Sequence, residues 1–321
     1  MIPVYNSEGS LPLVVERLKA VLEPGKTMGE LVLVNDASTD RSWDIICELA
    51  GRYLWIRGYN LMRNFGQHNA LLCGIRAARY PVIVTLDDDL QTPPEEVPKL
   101  LKLLDQGYDV VYGTPERQSH GFLRDAASSI TKLALQSAMG AETARAVSPF
   151  RAFRTHLRNA FAPFAGPFVS VDVLLTWGTR KFASTPVRND PRPIGVSNYT
   201  VGRLITHALN MMTGFSTAPL QLASIVGFSC TLLGVFILGF VAVRYFVAGD
   251  PAPGFPFLAS MIAIFSGAQL FSLGILGEYL ARMHFRMMDR PTYAVLGTTS
   301  QQSVGIDEPI LDNDASYGAK V

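Results

Sequence analysis

Val82-Ile83-Val84-Thr85-Leu86 is a short apolar run that breaks off in Asp87-Asp88-Asp89-Leu90-Gln91-Thr92-Pro93-Pro94. It reads as a buried strand bounded by a polar turn and two prolines. Three adjacent carboxylates at a strand tip repel one another and call for a cation. Oxygen donors of this kind suit a hard ion such as Mg²⁺ or Mn²⁺. Such an ion keeps water and takes phosphate oxygens as its remaining ligands, so one reading is a metal–diphosphate site. The other is a solvated acidic turn ahead of a helix, capped by Asp89 or Thr92. The triplet alone does not separate the two.

Two further strand ends favour the first. Leu31-Val32-Leu33-Val34 ends in Asn35-Asp36-Ala37-Ser38-Thr39-Asp40, and Ile2-Pro3-Val4 ends in Tyr5-Asn6-Ser7. Helix-like segments lie between the runs, over 11–22, 42–51, 65–79 and 95–106. This alternation up to Val111 predicts an α/β domain with a Rossmann-like, mostly parallel sheet and helices on both faces. In such sheets ligands bind outside the carboxyl ends of the strands. Tyr5, Asp36 and Asp87–Asp89 all fall there, and three polar clusters at one sheet edge favour a nucleotide site over three unrelated turns.

The rest of the chain points to a membrane. Leu222–Val243 carries no charge over 22 positions and Phe257–Gly277 none over 21. Each is long enough to cross a bilayer. Gly249-Asp250-Pro251-Ala252-Pro253-Gly254 is a turn between them, so the two form a hairpin. Gly227/Gly234 and Gly267/Gly274, seven residues apart, would let the helices approach closely. Arg203 precedes the first span and Arg282, Arg286 and Arg290 follow the second, against Arg244 alone at the tip. The positive-inside rule then places both ends, and the catalytic domain, in the cytoplasm. The tail from Gly297 to Val321 is polar and aperiodic and is expected to be disordered. Gly121–Met139 reads as an amphipathic helix, with Phe122, Ala126, Ile130 and Leu133 on one stripe and Arg124, Ser128 and Lys132 on an adjacent row. It fits either a helix lying in the membrane interface or an ordinary surface helix. Val201–Thr213 is a second interfacial candidate.

The chain has 321 residues, enough for one catalytic domain and a membrane part. With 28 Lys+Arg against 27 Asp+Glu, nothing calls for nucleic acid. Cys47, Cys73 and Cys230 show neither metal spacing nor a pairing pattern, as in a reducing compartment.

Pro3-Val4-Tyr5-Asn6, Asn35–Asp40 and Asp87–Glu95 resemble the signatures of family 2 glycosyltransferases with the GT-A fold. Arg63-Asn64-Phe65-Gly66-Gln67-His68-Asn69-Ala70 and Gly277-Glu278-Tyr279-Leu280 narrow the resemblance. They are similar to the polyprenyl-phosphate glycosyltransferases, the group holding dolichyl-phosphate mannose synthases and the bacterial enzymes that load glucose or aminoarabinose onto undecaprenyl phosphate. The resemblance covers residues 2 to about 295.

The resemblance implies an inverting transfer of a sugar from a UDP- or GDP-linked donor to polyprenyl phosphate, for modification of cell-envelope glycans. It implies a divalent metal held by Asp87, Asp89 and Gln91, and a donor site of Pro3, Tyr5, Asp36, Asp88 and Arg192, with Tyr5 stacked on the base and Asp36 bonded to it. Arg117, Arg124 and Ser128 match positions that hold the acceptor phosphate. Asp89, Arg117 and Arg124 are thus the expected catalytic residues. The acceptor oxygen is already anionic, so positioning matters more than a general base.

The expected organisation is a GT-A domain over 1–200 with an interfacial helix at 121–139, and a juxtamembrane helix over 201–217. A transmembrane hairpin over 218–281 follows, with spans at about 220–246 and 256–280, and then a cytoplasmic segment and tail over 282–321. The expected protein is a multi-pass homotetramer of the bacterial inner membrane. A rival reading is a membrane glycosyltransferase that extends a polysaccharide or glycolipid, but the Gln-x-x-Arg-Trp motif and extra spans of processive synthases are missing. Another is a catalytically silent membrane anchor, which the intact Asp-x-Asp argues against.

Several positions depart from the family pattern. Ser7 stands where a Glu is usual, Asn198 where the diphosphate-closing loop usually has Lys, and Arg145 where an acid precedes Phe150–Arg154. Related chains also carry more apolar residues ahead of Ile2, so the start is expected to be misassigned or clipped.

Overall fold

Strands β1 (Ile2–Val4), β2 (Leu31–Asn35) and β3 (Ile56–Leu61) run parallel, in register Ile2↔Leu33 and Leu31↔Ile56. Helices α1 (Leu11–Val21) and α2 (Ser42–Arg52) cross between them. These come from a computed structural model that describes residues 1–22, 29–115, 146–166, 169–191, 218–248, 254–288 and 290–299. After α3 (Gln67–Ala77) come β4 (Val82–Thr85), a 3₁₀ turn (Pro94–Glu96), α4 (Val97–Asp105) and β5 (Val110–Pro115). Pro12 and Pro98 sit in the first turns of α1 and α4, where a missing N–H costs nothing.

The second half of the sheet is mixed. β6 (Arg151–Arg154) lies antiparallel between β4 and β5, and β7 (Phe182–Val187) pairs parallel with β5 after α5 (Val171–Gly178). The Leu86 N–H donates to the Met1 carbonyl at 3.1 Å and joins the two halves at β1 and β4. Apart from β6 and the edge strand that pairs with β3 near the C-terminus, the strands run parallel, as expected.

Burial on both faces explains the unbroken apolar strands. Leu31 and Leu33 pack with α1, α2 and α4, while Val32 and Val34 pack with α3 and α5. Period-two alternation between two cores needs apolar residues at every position.

Beyond this domain run α6 (Ala218–Ala248) and α7 (Phe255–Met287), packed against each other. Among the described residues these are the two helices long and apolar enough to cross a membrane, over Pro219–Val241 and Ile264–His284, and neither window is buried. Large side chains such as Phe236 (72% exposed) and Leu238 (70%) face outward, which an aqueous surface does not tolerate over such a length. Of the four spaced glycines, only Gly234 meets the other helix: a Cβ there would lie 3.0 Å from the Phe265 ring. Gly227, Gly267 and Gly274 have nothing within 4 Å. The second helix runs past the expected end at about 280, to Met287; within it the Glu278 carboxylate accepts from Arg282 at 2.9 Å one turn on.

The chain then returns to the sheet. β8 (Val295–Thr298) pairs antiparallel with β3, Tyr59↔Thr298 and Leu61↔Val295. This corrects the expectation of disorder from Gly297: backbone pairing holds Gly297–Thr299, and a polar sequence is no bar to an edge strand whose ladder bonds are made by main chain. Residues 300–321 lie outside the described residues, as do 121–139 and 201–217.

Candidate active site

The carboxyl ends of β1, β2, β3 and β4 open on one edge, and their loops are stitched together. Asn6 N–H donates to Ser38 Oγ (2.9 Å) and Thr39 N–H to Asn6 Oδ1 (2.8 Å). Ser7 N–H donates to Ser42 Oγ (2.8 Å), Glu8 N–H to Asp40 Oδ2 (3.0 Å), and Arg41 N–H to Glu8 Oε2 (3.0 Å). Asp40 and Glu8 thus bind the first two loops to each other. Among the described residues three non-glycine residues adopt positive φ, and all lie here: Asn6 (54°), Ala37 (53°) and Leu90 (58°). Each follows a strand and reverses the chain sharply, and left-handed geometry at a non-glycine residue is strain of the kind that gathers at functional sites.

Pro3 lies inside β1, buried and opposite Val34. It is one of the residues expected to contact the donor. By the alternation of a strand its nitrogen faces the same way as that of Met1, which bonds Val84 of β4. The last bond along that edge runs from the Leu86 N–H to the Met1 carbonyl, and the missing donor falls just beyond it. Tyr5, next along, is 43% exposed at the mouth of the edge.

Asp36 is 3% exposed, and its two oxygens accept the backbone N–H groups of Phe65 (2.7 Å) and Gly66 (2.8 Å). Burial pushes its pKa up, and these two bonds oppose the shift. The residue expected to bond the base also fixes the loop ahead of α3. Asn35 bonds Asn60 at 2.8 Å and so joins the ends of β2 and β3.

The three acids part ways. Asp87 Oδ1 accepts from Gln67 Nε2 at 2.8 Å, and Asp89 Oδ1 from the Gln91 N–H at 3.0 Å. Asp88 accepts from the Ser7 hydroxyl. Burial raises the Asp88 pKa, and the bonds from Ser7 and the Tyr5 backbone hold it down. Ser7, the departure from the family's Glu, thus supplies a donor where a second acid would repel. Among the described residues no three His, Cys, Asp or Glu converge on one point. With Asp88 diverted, the edge offers two carboxylates and the Gln91 amide, a set that fits a hard ion completed by phosphate oxygens and water. The Gln91 carbonyl accepts from the Asp190 N–H at 2.7 Å, so the start of the expected diphosphate-closing loop rests on the acidic turn.

Behind the triplet lies a buried polar network that sequence reasoning missed. Arg151 (2% exposed) pairs with Asp172 (5%), and its Nε donates to Thr85 Oγ1 at 3.2 Å. The Tyr112 hydroxyl donates to Asp172 at 3.0 Å. Burial and the Asp172 charge push the Tyr112 phenol up, which keeps it a donor. Arg117, Arg124, Ser128 and Arg192 lie outside the described residues.

The Glycosyl transferase family 2 model matches residues 1–161. Over 320 residues the chain is 34% identical to the undecaprenyl-phosphate 4-deoxy-4-formamido-L-arabinose transferase of Photorhabdus laumondii, covering 99% of this chain and 97% of that protein. The protein of the same name from Pseudomonas syringae pv. syringae is 35% identical over 324 residues, 100% and 96% of the two chains. Among solved structures, glucosyl-3-phosphoglycerate synthase from Mycobacterium tuberculosis, in complex with Mn²⁺, UDP and glucosyl-3-phosphoglycerate, superposes with a TM-score of 0.50. That match has 20% identity over 66% of this chain and 76% of that one, and it is a likeness of fold.

Proposed function

The chain belongs to glycosyl transferase family 2, and from that footing we propose that it transfers a sugar from a nucleoside diphosphate to a polyprenyl phosphate at the membrane face, for envelope glycan modification. One observation carries the reading. The similarity to enzymes named for undecaprenyl phosphate runs the full length of the chain, over the sheet and the apolar hairpin alike.

A phosphate oxygen of the lipid attacks the anomeric carbon, the bond from that carbon to the diphosphate breaks, and the nucleoside diphosphate leaves with the electron pair. Displacement from the opposite face inverts the centre. The exposed Tyr5 ring stacks on the base, and Asp36 acts through the loop it holds. Asp87, Asp89 and Gln91 would hold a divalent cation, which when bound would offset charge on the leaving diphosphate. Arg117, Arg124 and Ser128 position the acceptor phosphate and Arg192 meets the donor, all on the strength of the family resemblance.

The protein is read as a two-span enzyme of the bacterial inner membrane. β7 precedes the hairpin and β8 follows it, and both belong to the sheets of the catalytic domain. Both helix ends therefore leave on one side, which the flanking arginines make the cytoplasmic side. A tetramer built on the outward hairpin faces is part of this proposal.

The test is incubation of the purified full chain with undecaprenyl or decaprenyl phosphate and a panel of UDP- and GDP-sugars, with the lipid product identified by mass. A polyprenyl-monophosphate sugar that disappears in Asp89→Asn is expected. Growth of a glycan chain with no such product would overturn the reading.

A further inference from the structure

The Arg63–Ala70 motif has so far no function of its own, yet the start of α3 is unusually well tied. Asp36 holds the Phe65 and Gly66 N–H groups, and Gly66, at φ +94°, turns the chain into the helix. The next three side chains reach three different parts of the molecule. Gln67 Nε2 donates to Asp87 Oδ1 at 2.8 Å. His68 Nδ1 accepts the Val171 N–H at 3.4 Å, where α5 begins. Asn69, 6% exposed, donates to the Thr292 carbonyl at 2.7 Å, in the segment that returns from the hairpin.

We infer that Gln67 is a positioning residue for Asp87: its amide fixes one carboxylate oxygen and so aims the other at the cation that Asp87 and Asp89 share. This rests on the metal–nucleotide reading above. The chemistry of the side chain is the argument. A lysine of similar reach would also bond Asp87, but its charge would compete with the cation. A neutral amide orients the carboxylate and leaves the full negative charge for the metal. The helix start that carries Gln67 is in turn held by three anchors, on the loop after β2, on α5 and on the returning segment. Aiming by a neutral partner outside the ligand set is how proteins commonly tune a metal site.

The test uses the full chain in detergent, with UDP binding followed by calorimetry across a Mn²⁺ titration. In Gln67→Ala the Mn²⁺ concentration giving half-maximal UDP affinity should rise about 10- to 100-fold, in line with the loss of such outer partners. UDP affinity without metal and the melting temperature should stay near wild type. Gln67→Lys restores the hydrogen bond with a charge and should shift the Mn²⁺ midpoint in the same direction, and it serves also if the alanine variant folds poorly. An unchanged midpoint in both variants, with a metal-dependent wild type, overturns this inference and leaves the proposed function standing. UDP binding by the wild type that ignores Mn²⁺ overturns the inference together with the metal reading beneath it.

Discussion

Asn69 donates its side-chain amide to the Thr292 carbonyl at 2.7 Å, and this one bond spans 223 positions of chain. It closes a loop that runs out through the membrane hairpin and back. The returning segment is held at further points: Arg76 lies over the Tyr293 ring at 5.7 Å, the Met62 N–H donates to the Ala294 carbonyl at 2.9 Å, and β8 adds to β3. The helix carrying Gln67 is therefore fastened to the chain as it leaves the second span.

Asn69→Ala should loosen that fastening. It leaves a carbonyl beside a buried site without its donor, at a cost of about 1–3 kcal/mol. The melting temperature should fall, and protease cleavage near residues 288–291 should rise before the rest of the domain is cut. Unchanged cleavage there would mean that β8 alone holds the segment.

The buried pair Arg151–Asp172 makes a second prediction. Removing one partner leaves the other charge uncompensated in the core, typically about 3–5 kcal/mol. Asp172→Ala should therefore destabilise strongly, since it also strips Tyr112 of its acceptor. Arg151→Met combined with Asp172→Ala should cost clearly less than the sum of the two single changes, as expected of groups in one network. A double-mutant cycle by thermal unfolding decides it, and additive effects would show that the pair is not coupled.

Much of this architecture was legible and some was not, for physical reasons. Strands β1, β2 and β4 and helices α1 to α4 came within a residue or two of the apolar periodicity, because each buries a full face. β3 reads Ile-Arg-Gly-Tyr-Asn-Leu, and with only its ends apolar it offers no run to recognise. Its outer edge is covered by β8, a strand of four residues whose pairing depends on main chain and leaves no trace in composition. The acidic triplet announced the site, but its three directions depend on Gln67, Ser7 and a backbone N–H, contacts that only the fold brings together. Asp36 was placed at the right edge, but its hold on the Phe65 and Gly66 N–H groups was not legible, since backbone N–H groups carry no sequence signature. Arg151 and Asp172 lie 21 positions apart and look like surface charges until the strands enclose them.

The strained turns offer a contrast between two like substitutions. Ala37 is half-buried at φ 53°, where an L-residue costs roughly 1–2 kcal/mol. Glycine removes that strain and costs roughly 0.5–1 kcal/mol in chain entropy. Ala37→Gly should thus be stabilising by up to about 1.5 kcal/mol, the difference of the two. Leu90 has nearly the same φ but is 5% exposed, and losing its side chain forfeits about 1.5–3 kcal/mol of burial. Leu90→Gly should destabilise. If both variants move the melting temperature the same way, burial is not what separates them.

The last prediction concerns Asp36 and pH. Burial raises its folded-state pKa above the ordinary carboxylate range, against the pull of the Phe65 and Gly66 N–H groups. The folded state then keeps a proton that the unfolded state has already lost. Stability tied to that proton is fully present below the unfolded pKa and is lost as pH rises through the folded one. Asparagine cannot titrate and escapes this loss. Its Nδ2 does face a backbone N–H in place of an acceptor, so Asp36→Asn starts at a disadvantage of about 1–3 kcal/mol in acid. The disadvantage should shrink as pH rises from about 4 to about 7.5, because only wild type pays for burying a charge. Melting temperatures of the two proteins across that range give the sign directly. A gap that widens with pH would mean that the two N–H bonds outweigh burial, and that the loop ahead of α3 depends on the Asp36 charge itself.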